Sequence, residues 1–123
     1  MPFESKAFRV ETWDGRTFRL IDSIVYTAEN KEVITIPAGS TSDGASTPRA
    51  GWNVLPPFGD YWRAAFLHDF LYRDTDKPKV ECDNLLLEAM ASLNVFRLER
   101  DFIYQGVVNF GQASFDIDRK IKK

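Results

Sequence analysis

The sequence predicts an α+β fold in one domain spanning residues 1–123, and three observations indicate it. The first 36 residues hold runs that alternate apolar and β-branched residues with polar ones, which is typical of strands. Residues 37–60 are dense in Gly, Pro, Ser and Thr. Beyond them, apolar residues recur at three- and four-residue steps, as on helices. We therefore expect an N-terminal β part (1–36), a long loop (37–60) and a three-helix C-terminal part (61–123).

The β part contains two hairpin patterns. In "FRVETWDGRTFRLI", two alternating runs flank Asp14–Gly15, a pair that favours a tight turn. Farther along the chain, "SIVYT" and "EVITIP" flank the turn "AENK". These runs predict four antiparallel strands, either in one sheet or as a pair of hairpins.

The loop and the helices follow from composition and periodicity. A connection of this length is unusual in a compact domain unless it has a purpose, so we expect a functional loop. Asp60 is placed to cap the first helix, and "DTDKP" separates the first helix from the second. The expected helices span residues 61–73, residues 78 or 79 to 93, and residues 98–110.

Composition excludes several classes of protein. A net charge of −2 and a pI near 5.4 argue against nucleic acid as the main partner. No apolar run approaches the roughly 20 residues of a membrane span, and the N-terminus lacks the pattern of a signal peptide. With one cysteine, Cys82, and one histidine, neither an intrachain disulfide nor a Cys/His zinc site is expected. These features favour a reducing cytoplasm.

The run "AAFLHDFLYR" places the single histidine, His68, beside Asp69. Neighbouring side chains on a helix point about 100° apart, so the two need different partners. If the short "DTDKPK" link makes the first two helices antiparallel, Asp83 comes to the level of His68. A carboxylate there could hold one imidazole nitrogen and leave the other as a base. The alternative is a core histidine bonded to Asp83 for structure alone.

Asp69 points elsewhere and could face the long loop and its Asp43. Two carboxylates and loop carbonyls form the hard oxygen site that calcium prefers. Taken by itself, the pair Asp43–Gly44 is also typical of an ordinary turn.

Four segments in order, "IPAGSTSDGASTPR", "LPPFGDYWRAAFLHDFLYR", "ECDNLLLEAM" and "NFG", resemble a family of small bacteriophage and prophage proteins of unknown function. The resemblance covers roughly residues 33–111. It implies a phage origin, and hence a place in the host cytoplasm or in the virion. It implies no particular activity.

The segments "SDGAS", "AAFLHDFLYR" and "CDNLLLEAM" also resemble the secreted phospholipase A2 enzymes of bacteria and fungi. That resemblance implies that His68 activates water and that Asp83 orients it. It also implies that Asp69, Asp43 and the carbonyl of Gly44 hold calcium, which would polarise the ester carbonyl. Two paired cysteines of those enzymes are replaced by alanines, and their mostly helical fold lacks the N-terminal sheet; the replaced positions are Ala45 and Ala65.

Two functions from different classes follow. One is a calcium-assisted hydrolase of ester bonds, with phospholipid as a candidate substrate. The other is a non-catalytic phage structural, assembly or host-interaction protein, with a phage or host protein as its partner. The sequence indicates neither the bond that is cut nor the oligomeric state.

Overall fold

The computed structural model describes residues 3–4, 8–14, 17–42, 62–95, 97–110, 112 and 115–116. Within these residues, five strands precede three helices, which confirms the α+β fold. The strands are β1 (Val10–Thr12), β2 (Phe18–Leu20), β3 (Ile24–Thr27), β4 (Val33–Ile36) and β5 (Thr41–Ser42). The helices are α1 (Trp62–Asp74), α2 (Lys79–Ser92) and α3 (Arg97–Phe110).

Strands β1 and β2 form the first predicted hairpin, with Val10 opposite Leu20. The amide of Thr17, just before β2, donates to the carboxylate of Asp14, just after β1, at 2.8 Å. On the other side of β2 lies β5, which pairs antiparallel with it and completes a three-stranded sheet. Strand β5 falls inside the segment 37–60 that the sequence predicts as loop.

Strands β3 and β4 form the second hairpin as a separate two-stranded sheet. Lys31 adopts a positive φ of 75° in the turn, where the Ala28 amide bonds to the Glu32 carbonyl. In the described part of the chain, the two hairpins therefore lie in different sheets, and the single four-stranded sheet is not formed. Alternation holds in β4, where Ile34 and Ile36 are buried.

Helix α1 lies at the centre of the molecule. It packs against α2 and against strands β4 and β5, and α2 also packs against α3. Residues Asp74 to Pro78 give a short connection, and Pro78 precedes the first residue of α2 with an extended backbone. Each observed helix end lies within one residue of its predicted position, and α2 begins at the second of its two predicted starting residues. The predicted helix cap, Asp60, lies outside the described residues.

The core is built from one face of each sheet and the inner faces of the helices. Helix α3 contributes Ile103 and Val107, whereas Phe102 and Val108 remain more than 40% exposed. No helix in the described ranges has the length and apolar character that crossing a membrane requires. The largest of the fully buried apolar side chains are Leu20, Tyr26, Ile36, Phe66, Leu67, Leu71, Leu86, Met90 and Ile103.

Candidate functional site

The antiparallel arrangement of α1 and α2 brings His68 and Asp83 together. Nε2 of His68 lies 2.8 Å from Oδ1 of Asp83, and both side chains are 2% exposed. The short connection between the helices explains the match in level, because His68 and Asp83 stand at similar distances from it on opposite helices. A buried hydrogen bond therefore joins the only imidazole of the chain to a carboxylate on the next helix.

Tyr72 lies one helical turn after His68 and binds the same carboxylate oxygen. Its hydroxyl donates to Asp83 Oδ1 at 2.5 Å, and its ring lies 4.1 Å from the imidazole, centroid to centroid. The ring of Phe115 lies 5.1 Å from that of Tyr72, centroid to centroid, and nearly perpendicular to it. From the sequence, Tyr72 is expected to be an ordinary core aromatic. Its four-residue spacing from His68 is the signal that could have assigned it to the site.

Lys79 donates a hydrogen bond to the other carboxylate oxygen of Asp83. Its Nζ donates to Asp83 Oδ2 at 2.7 Å and to the Val107 carbonyl at 2.8 Å. Asp83 thus accepts hydrogen bonds from α1 and from its own helix, while Lys79 reaches α3. Lys79 is not among the predicted site residues, although its four-residue spacing from Asp83 is typical of a helical ion pair.

These three hydrogen-bond donors favour the ionised form of Asp83. Burial by itself would raise the pKa of Asp83, but hydrogen bonds from His68, Lys79 and Tyr72 outweigh it, so the pKa lies below its ordinary value. Burial, and then the bond to Asp83, raises the pKa of Tyr72, which stays a phenol and donates. An ionised carboxylate only accepts, so Nε2 carries the proton. In a neutral imidazole, Nδ1 then holds the lone pair that a base uses; this atom is buried too.

We expect acid to remove the stability that Asp83 contributes. Its pKa in the folded chain lies below the unfolded value of about 3.9, so the contribution is complete above that pH. As pH falls from about 3.9 toward the folded pKa, the unfolded chain gains a proton first, and stability drops by up to about 1.4 kcal/mol per pH unit.

Urea unfolding measured between about pH 2.5 and 6 tests this contribution. Asp83→Asn should flatten the acid slope by one proton. Asp101→Asn, which alters an exposed carboxylate on α3, controls for the loss of one carboxyl group. Equal acid slopes for the wild type and Asp83→Asn would contradict the expectation.

The structure describes only one of the residues that are predicted to hold calcium. Asp69 lies on α1 and is 6% exposed. Asp43 and Gly44 lie outside the described residues. Among the residues that the structure does describe, no group of three His, Cys, Asp or Glu side chains is arranged to hold a metal. The calcium site therefore stays a prediction, with Asp69 as the one carboxylate that can be located.

The fold and the site define a class of protein: a small α+β domain whose helical half encloses a buried His–Asp pair. Residues 18–107 match a family described as "protein of unknown function (DUF1353)", and the chain belongs to that family. The search of curated proteins and the search of solved structures each returned no match. The phage origin and the resemblance to phospholipase A2 stay predictions.

Proposed function

We propose that this protein is a phage-encoded, phospholipase-A2-like hydrolase of ester bonds in which His68 is the general base. The single observation that carries the proposal is the 2.8 Å contact between His68 Nε2 and Asp83 Oδ1. A base needs one ring nitrogen fixed in its protonated form so that the other presents a lone pair. Asp83 fulfils the first requirement because it is ionised and anchored on both oxygens.

The proposed chemistry is water activation. Nδ1 of His68 takes a proton from water as the oxygen attacks the ester carbonyl, and the resulting imidazolium is stabilised by the Asp83 carboxylate. Because Nδ1 is buried, this step requires a path that brings water and the ester to it. The proton then passes from Nδ1 to the leaving alkoxide, so that an acid and an alcohol are released. The buried setting strengthens the interaction between imidazolium and carboxylate, because little water screens it.

Calcium is the cofactor that the proposal includes. When bound, it would polarise the ester carbonyl and stabilise the developing oxyanion. Calcium takes six to eight oxygen ligands, and of the predicted ligands the described part of the chain includes the Asp69 carboxylate. A carboxylate oxygen is the donor type that this ion prefers, and Asp43 and the Gly44 carbonyl would supply further oxygens.

The test is release of fatty acid from phospholipid. The full chain is incubated with vesicles of phosphatidylglycerol and phosphatidylethanolamine, with calcium or with a chelator. We expect calcium-dependent release, and we expect calorimetric titration to about 1 mM calcium to give one site that Asp69→Asn loses. Asp101→Asn, in an exposed carboxylate on α3, should bind calcium as the wild type does.

Calcium-independent release would contradict the role of Asp69 and leave that of His68. Absence of release from these vesicles and also from soluble short-chain esters would reject the hydrolase. For a phage, such a hydrolase would weaken the host membrane at lysis or entry. That role requires the release of fatty acid from the vesicles.

A second candidate function is favoured by burial. His68 and Asp83 are each 2% exposed, which suits a polar group that fixes the packing of α1 on α2 in a non-catalytic protein. On this reading, the chain is a phage structural, assembly or host-interaction protein. It predicts no hydrolysis, no calcium heat, and a loss of fold stability as the only effect of altering the pair.

A further inference from the structure

Lys79 donates hydrogen bonds both to a buried carboxylate and to backbone carbonyls of another helix. It is the first residue of α2, and its side chain is only 15% exposed. Its ammonium group lies 2.7 Å from Asp83 Oδ2 and 2.8 Å from the Val107 carbonyl. An ammonium group has three donors, and a carbonyl accepts two hydrogen bonds, so both contacts can form together with the hydrogen bonds inside α3.

The first contact restricts the orientation of Asp83. A carboxylate bound only through Oδ1 could rotate about its bond to Cβ and exchange its oxygens. With Oδ2 held by Lys79, Oδ1 stays directed toward His68 and Tyr72. The positive charge also lies next to the carboxylate in a poorly hydrated setting, where charge-assisted hydrogen bonds are strongest.

The second contact connects the pair to the third helix. Val107 belongs to α3, and its side chain is 3% exposed in the core. Because the same ammonium group bonds to the Val107 carbonyl and to Asp83, the placement of α3 bears on the orientation of the carboxylate. The same ammonium group also lies 3.5 Å from the Val108 carbonyl, on the same helix.

Lys77 shows what an ordinary ion pair looks like at nearly the same place. It also pairs with a carboxylate four residues ahead, Glu81 at 3.3 Å, and with Glu32 at 2.9 Å. Its side chain is 19% exposed, similar to that of Lys79. Both carboxylates differ from Asp83, the one that His68 binds, so Lys77 provides a matched lysine.

We propose that Lys79 is a positioning residue that fixes the Asp83 carboxylate toward His68 and couples helix α3 to this pair. The inference deepens the proposed function and rests on it for its catalytic meaning. The coupling itself is a property of the fold and is measurable without any substrate.

The experiment observes the ring proton on Nε2 of His68 by NMR at constant pH. The chain has one histidine, so a histidine-labelled sample gives one imidazole. We expect a slowly exchanging Nε2 proton in the wild type and about tenfold faster exchange in Lys79→Met, because one charge-assisted hydrogen bond to Asp83 is lost. Lys77→Met should leave the exchange rate unchanged, and Lys79→Arg, which keeps the charge and donors, should restore most of the protection.

Unchanged exchange in a folded Lys79→Met would overturn the proposal, as would an equal increase in Lys77→Met. If Lys79→Met does not fold, the wild type decides: a slowly exchanging Lys79 ammonium group with nuclear Overhauser contacts to Val107 supports the coupling, and its absence overturns it. Failure of the hydrolase assay leaves this measurement intact, so the two proposals fail separately.

Discussion

Replacement of His68 by glutamine is expected to slow ester hydrolysis by about 10²- to 10⁴-fold, the usual contribution of a general base. Glutamine carries an amide N–H that can still donate to Asp83, so the buried carboxylate keeps a partner. It has no group that accepts a proton from water at neutral pH. The loss should therefore appear in kcat, with KM for a soluble ester little changed.

The control for His68→Gln is Tyr26→Phe. This substitution also removes a polar group from the core, because the Tyr26 hydroxyl donates to Glu88 on α2. Tyr26 lies on β3, and its hydroxyl binds Glu88, not Asp83. Hydrolysis should persist in Tyr26→Phe. Retention of hydrolysis in a folded His68→Gln would remove His68 from the mechanism and would favour the purely structural function of the pair.

The largest loss of stability is expected for Asp83→Ala. The substitution leaves a buried imidazole N–H, a phenol hydroxyl and an ammonium group without the carboxylate that they share. Removal of one partner from a buried ion pair costs about 3–5 kcal/mol, because the remaining charge stays poorly hydrated. Since small domains are stable by about 5–15 kcal/mol, we expect a folded chain with a much lower urea midpoint.

Two further variants are controls for Asp83→Ala. One keeps the shape of the Asp83 side chain without its charge, and the other removes a different acidic residue from the same helix. Asp83→Asn keeps an acceptor oxygen of the same size, so its loss in free energy of unfolding should be smaller, about 1–3 kcal/mol. Glu81→Ala removes an acidic residue from the same helix, but its carboxylate is 44% exposed, and the expected change is below about 1 kcal/mol. A similar small change in Asp83→Ala would show that the network contributes little to folding.

Much of the fold follows from local pattern. The turn at Asp14 and the "AENK" segment predict both hairpins, because turn chemistry and alternation act within a few residues. Strand β5 could not be predicted from local pattern. It has two residues, and what makes it a strand is pairing with β2, where Phe18 faces Ser42. A contact across so many residues leaves no periodic signal in the sequence.

The candidate site also has a part that could be predicted from the sequence and a part that could not. The proximity of His68 and Asp83 could be predicted, since a short connection between two helices aligns positions equally far from it. Tyr72 and Lys79 are not part of the predicted site. A tyrosine among Leu and Phe predicts a core ring, and the ring is indeed buried; only its hydroxyl reveals the site. For Lys79, solvent exposure is the ordinary expectation.

The sequence by itself determined the order of strands and helices, the hairpin turns and the carboxylate that meets the imidazole. Each of these depends on residues close in the chain or on one short link. Only the tertiary structure decided that the hairpins lie in two sheets, that β5 extends the first, and that Tyr72 and Lys79 converge on Asp83. The physical reason is that a buried polar group takes the partners that packing brings within hydrogen-bond distance, and for Lys79 one of those partners is the Val107 carbonyl on another helix.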